Sequence, residues 1–252
     1  MKGLKGFEFK NQTDESVDLY FYGDIVSDWW GAWQDEDQYP ENIKNFLAEH
    51  SERNVNIYIN SGGGSVFAGI AIYNMIKRHA KNHNVTVHVD GLAGSIASIF
   101  AFAGSSKPVI PANAFLMIHN PWTWAEGNAK EFRKIADDLD QIATGILNIY
   151  EENLKEGVSI ETIKELMDAE TWLNGEQVAQ YFNVEVGEKE NYMAATGKYL
   201  DKAKNMPKAL KNKKAADKMP LCCHGEVYGE EETKKTKDEL NRIILSGLAK
   251  GV

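Results

Sequence analysis

Two short β-branched runs, each breaking into glycine and each followed by a helix-patterned segment, restrict this chain more than any other feature. Residues 55–59 alternate Val55, Ile57 and Ile59, then run into Ser61-Gly62-Gly63-Gly64. Val66, Ile70, Tyr73 and Ile76 follow at helical spacing. Residues 85–89 repeat the alternation, run into Gly91-Leu92-Ala93-Gly94-Ser95 and enter a small apolar helix. Residues 17–25 read as an earlier strand, and Val109 and residues 115–118 as two later ones. Strands alternating with helical segments predict an α/β fold, with a largely parallel sheet and helices on its faces.

Local chemistry marks the helix starts. Pro40 stands at a first helical turn, where its missing N–H costs nothing. Asn128 with Glu131, and Asn174 with Gln177, have the spacing of reciprocal caps, and Ser159 suits a single cap. After Asn128 a long apolar stripe runs through Phe132, Ile135, Leu139, Ile142, Ile146 and Ile149. It reads either as core packing or as a subunit contact, because a helix this long overhangs a compact domain. Residues 27–38, rich in Trp and acid, read as a loop or irregular insertion.

Composition narrows the function. A net charge of −9 argues against nucleic acid as the main partner. The longest apolar stretch, residues 96–103, is far shorter than the ~20 residues a membrane span needs. Residues 1–10 carry lysines without an apolar run behind them, so no signal peptide is expected. The only cysteines, Cys222 and Cys223, are adjacent and build no disulfide framework. These features together predict a soluble protein of a reducing compartment. Residues 1–187 read as one domain. Residues 188–252 read as a Lys-rich flexible tail, with an amphipathic terminal helix on Leu240, Ile243, Ile244 and Leu248.

Three features carry chemistry. The glycine turn at residues 62–64 lets backbone N–H groups approach a ligand closely. It lacks the lysine and hydroxyl of a phosphate loop, and taken alone is an ordinary tight turn. Gly94-Ser95 lies where a strand enters a helix, a place that suits developing negative charge but equally suits a plain N-cap. Ser98, inside the apolar helix, is the rival nucleophile and reads better as a packed hydroxyl. His119 follows a strand directly, at the carboxyl edge where open α/β sheets keep their sites. His50, His79, His83, His88 and His224 read as surface or structural groups, and no metal site or cofactor is expected.

Taken together, these segments resemble the ClpP-like peptidases, within the fold group shared with crotonases. Ile59-Asn60-Ser61-Gly62-Gly63-Gly64 resembles the family's Ile-Asn-Ser-Pro-Gly-Gly turn, with Gly62 in place of proline. Residues 68–73 match the helix behind that turn, and residues 91–104 resemble the nucleophile segment. Met117-Ile118-His119-Asn120-Pro121 resembles Met-Ile-His-Gln-Pro, and residues 172–177 resemble the segment just after the catalytic acid. The resemblance spans residues 17–186 in one order.

It implies repeated β-β-α units with a long handle helix, and a serine endopeptidase acting on extended or unfolded polypeptide. Ser95 would be the nucleophile, His119 the general base, and the Gly64 and Ile96 N–H groups the oxyanion hole. The family's aspartate position, two residues before Trp172, holds Glu170 here, with Asp168 as the alternative acid. Trp122 and Trp124 follow the histidine where the family binds substrate. They read as an aromatic wall or as core packing. The stripe at residues 132–149 resembles the handle that joins subunit rings, so a homo-oligomeric ring is implied. The Trp-rich insertion and Lys-rich tail resemble the ClpP-related head maturation proteases of tailed bacteriophages. Those process capsid and scaffold proteins, in the host cytoplasm or the prohead. The alternatives are a housekeeping Clp subunit working with an ATPase unfoldase, a crotonase-fold acyl-CoA enzyme, and an inactive structural ring subunit.

Overall fold

The computed structural model describes residues 15–32, 35–189 and 204–206. The cysteine pair, His224, Trp33, residues 1–10 and the proposed terminal helix lie outside the described residues. Among the described residues, a seven-stranded mixed sheet organises the fold. It contains β1 (Ser16–Phe21), β2 (Asn54–Ser61), β3 (Val85–Gly94), β4 (Val109–Pro111), β5 (Phe115–Ile118), β6 (Thr171–Asn174) and β7 (Glu185–Gly187). The main path runs β1-β2-β3-β4-β7, with β5 paired to β3 and β6 to β5. Among these strand pairs, only β5–β6 is antiparallel. The central strands are buried on alternate positions: Val55, Ile57, Ile59, Val85, Val87 and Val89 are all at most 1% exposed. Each such side chain contributes roughly 1.5–3 kcal/mol relative to exposure.

Among the described residues are five α-helices, four of which begin at the starts read in the sequence. Pro40 does open α1 (Pro40–Glu49). Helix α2 (Val66–His79) follows the glycine turn. Helix α3 (Ala129–Glu151) begins in a complete Asn128/Glu131 capping box, and α5 (Gly175–Tyr181) in an Asn174/Gln177 box. Ser159 Oγ accepts the Thr162 N–H at the head of α4 (Ile160–Asp168).

Two local expectations change. The first strand stops at Phe21, and Ile25 makes only single bridges, to Gln38 and Gly64. The third strand runs on past Val89 to Gly94, because its far end gains a second parallel partner in β5. The small apolar helix expected after it is present over Ser95–Phe102, wound as a 3-10 helix. Between β2 and β3 the register slips: Ile59 faces Val89, but Ser61 faces Ala93. Two steps on β2 thus face four on β3, a bulge of the kind that re-aims a strand near a functional site.

Helix α3 is two-natured. Its last turns supply Ile146, Leu147, Ile149 and Tyr150 to the core, whereas Phe132 in its first turns is 49% exposed. The apolar stripe therefore serves as core only at its carboxyl end. No helix among the described residues is long and apolar enough to cross a membrane.

Candidate active site

Sheet register brings the candidate groups together. Strand β5 lies parallel to the end of β3, with Leu92 facing Phe115, Ala93 facing Leu116 and Gly94 facing Met117. The residue beyond the end of β3 is Ser95, and the residue beyond the end of β5 is His119. Their side chains meet, with Ser95 Oγ 2.7 Å from His119 Nε2. Strand β6 runs back along β5, with Met117 opposite Trp172 and Ile118 opposite Thr171. One step further sets His119 opposite Glu170. Ser95 has φ +52° and Glu170 φ +49°, a left-handed backbone that non-glycine residues seldom adopt and that gathers at functional sites.

The glycine turn is pressed against this junction. Gly63 has φ +96°, and a Cβ there would lie 2.6 Å from Gly94 O, 2.7 Å from Ser95 Cβ and 3.1 Å from Ile96 N. Gly64, at φ +148°, passes so near Ile25 that a Cβ would fall 2.0 Å from its carbonyl oxygen. Backbone bonds lock the turn: Ile25 N donates to Gly63 O and Ser65 N donates to Ile25 O. Gly63 N donates to Ser61 Oγ, which itself donates to Gly23 O. The N–H groups on either side of Gly64 are thus committed within the fold. Ile96 N lies in the first turn of the 3-10 helix, where no intrahelical acceptor precedes it.

Ser98 is fully buried. Its hydroxyl donates to the Ser95 carbonyl, so the Tyr150 hydroxyl donates to Ser98 Oγ at 2.6 Å. Burial pushes the Tyr150 phenol above its ordinary range and keeps it a donor. This brace from α3 to the backbone of Ser95 was not read from the sequence. Ser98 and Tyr150 are 52 positions apart, and a buried hydroxyl pair leaves no periodic signal.

His119 is held below its ordinary pKa. Burial is the main cause. The Glu170 carboxylate opposes it, and the Lys204 ammonium adds to it. The ring is therefore neutral near pH 7, as a general base must be. The two candidate acids separate clearly. Asp168 accepts Asn120 Nδ2 at 2.6 Å, so it holds the neighbour of the histidine. Glu170 acts on the ring through its charge, while its oxygens accept backbone N–H groups from Lys204 (3.0 Å) and Asn205 (2.7 Å). Both donors belong to the segment read as tail, and their role at the site was not anticipated.

Trp122 (42% exposed) and Trp124 (84%) lie on the open segment between β5 and α3, so core packing does not account for them. Trp29 and Trp30, at 55% and 75%, stack on each other at 4.0 Å in the irregular segment after Ile25. Among the described residues, no cluster of three or more His, Cys, Asp or Glu has a metal-holding arrangement.

A strained serine at a strand-to-helix turn, a neutral histidine on its hydroxyl and a glycine turn pressed against the serine are the parts of an acyl-transfer site. A family model described as Clp protease matches residues 37–185, which contain all of these groups. The match covers more than half of the 252 residues, and the chain belongs to the Clp protease family.

Proposed function

We propose that this chain is a serine endopeptidase. The observation that carries the reading is the 2.7 Å contact between Ser95 Oγ and His119 Nε2, on a histidine kept neutral by burial. Ser95 attacks the scissile carbonyl as its proton passes to His119. The imidazolium then protonates the leaving amine, and water repeats the cycle on the acyl-enzyme. The N–H groups of Gly64 and Ile96 bind the oxyanion, each donor contributing roughly 2.7–4 kcal/mol by analogy with removals elsewhere. Glu170 stabilises the imidazolium. Trp122 and Trp124 form an aromatic wall for extended substrate.

A fluorophosphonate probe tests this reading. Labelling of the wild type and of Ser98→Ala, with none in Ser95→Ala, is the expected pattern. Labelling of Ser95→Ala would sink it, and a chain with no labelling in any assembly state would favour an inactive ring subunit or an acyl-CoA enzyme.

The exposed first turns of α3 favour a ring-shaped homo-oligomer, because an apolar stripe left open invites association. Sedimentation should show a concentration-dependent assembly that Leu139→Glu dissolves. A monomer at every concentration would remove the ring from the reading. Within the family we favour a capsid or scaffold maturation role, acting in the host cytoplasm or prohead. That choice rests on the exposed Trp29–Trp30 stack and on the Lys-rich composition after residue 188. Cleavage of a folded substrate only with an ATPase unfoldase present would point to the housekeeping role.

A further inference from the structure

The acid side of the site depends on three residues far along the chain. Lys204 N and Asn205 N each donate to one oxygen of Glu170. Asn205 Nδ2 donates at 2.8 Å to the carbonyl of Ala169, the residue just before it. Met206 packs with Leu92, Met117, Phe115 and Trp172, a small apolar cluster separate from the main core. Met117 and Trp172 are the facing pair of β5 and β6. The segment is thus fastened by one apolar side chain to the strands that carry His119 and Glu170. Its polar atoms engage the acid itself.

We propose that Lys204–Met206 is a positioning clasp for Glu170. Its two backbone N–H groups fix the carboxylate beside His119, and Met206 anchors the clasp to the sheet.

The chemistry supports fixing over mere contact. Glu170 lies on a left-handed backbone at a half-exposed position, where an unrestrained glutamate samples several rotamers. Two donors on two oxygens remove that freedom. Each oxygen keeps a further lone pair for the imidazole. The charged groups acting on the ring are Glu170, before β6, and Lys204 of the clasp. Asp168, at the end of α4, is taken by Asn120. The clasp therefore has two separable effects: the backbone donors steady the acid, and the Lys204 ammonium lowers the basicity of His119.

This inference rests on the proposed role of Glu170, and the test separates the two. Peptide hydrolysis is measured against pH in the full chain for Glu170→Gln, Asn205→Pro, their double variant, Asn205→Ala and Lys204→Met. Proline at 205 deletes the N–H to Glu170, while alanine deletes only the tie to Ala169 and guards against a folding defect. Asn205→Pro should lower kcat about tenfold with KM nearly unchanged, and Asn205→Ala less. In the double variant the loss should equal that of Glu170→Gln alone, because both act through one carboxylate. Lys204→Met should move the acid limb of kcat/KM to higher pH. Full activity in Glu170→Gln would overturn the acid assignment itself. A loss in Glu170→Gln with none in Asn205→Pro would overturn the clasp alone. So would additive losses in the double variant, or a gain of activity in Asn205→Pro, which would mean that the segment withholds the acid.

Discussion

The proposed nucleophile side and the proposed acid side of this site are built on different principles. Around Ser95, position is set by backbone packed against backbone: Gly63 leaves no room for a methyl, and parallel strands deliver Ser95 and His119 in register. Around Glu170, position is set by hydrogen bonds at a half-exposed surface, two of them to residues 34 and 35 positions away. Steric constraint of the first kind is all-or-none. Hydrogen bonding of the second kind is graded, since each net bond contributes only ~0.5–1.5 kcal/mol, somewhat more to a charge. Damage on the nucleophile side should accordingly be far more severe than damage on the acid side.

The largest effect should come from Gly63→Ala. The added carbon would have to displace Gly94 O and Ser95 Cβ at once, on a backbone that L-residues rarely adopt. Peptidase activity should fall by at least ~10²–10³-fold, as when an oxyanion donor is lost, and fluorophosphonate labelling should slow in parallel. Near-normal labelling of that variant would erase the contrast between the two sides.

An intermediate effect belongs to the acid. Glu170→Gln should cost on the order of 10²-fold in kcat/KM, short of the ~10⁴-fold that neutralising a buried triad aspartate costs. The pH profile sharpens this. Activity requires neutral His119, so it falls as pH drops through a pKa that lies below the ordinary 6.5. Glu170 raises that pKa, so its removal should shift the acid limb to still lower pH. Asp168→Asn keeps an acceptor for Asn120 and should cost only a few-fold without moving the limb. If Asp168→Asn proves the worse of the two, the acid has been misassigned.

The smallest effect should follow Tyr150→Phe, which removes the donor to Ser98 from the brace behind Ser95. Thermal unfolding should report a loss of ~1 kcal/mol, with kcat reduced only a few-fold. A catalytic collapse with unchanged melting would make Tyr150 part of the nucleophile machinery.

What could be read from sequence divides along the same line. Caps were legible because their chemistry is local: Pro40, Asn128 with Glu131, Ser159, and Asn174 with Gln177 all stand where helices begin. The pairing of Ser95 with His119 was legible through the resemblance of their segments to the ClpP-like peptidases. The extension of β3 through Gly91 and Gly94 was not, since glycine has poor strand propensity and the segment is strand through its pairing with β5 and with Ser61 of β2. The overhang of α3 was half legible. The stripe is continuous in sequence, but which end meets the core depends on the rest of the fold. Lys204 and Asn205 were invisible as site residues because they act through backbone N–H groups, which every sequence possesses.

The bulge in β3 gives the molecule a parity. Four strand steps from Val89 to Ala93 face two on β2, and each step turns the side chain to the opposite face. Losing one residue there would leave the sheet upstream intact yet present Ser95 to the wrong side. Losing two would restore the facing while shortening the reach to His119. Length variation at residues 90–92 should thus be punished by whether it is odd or even before it is punished by size. Such a rule is invisible in any single contact and follows from how the strands count against each other.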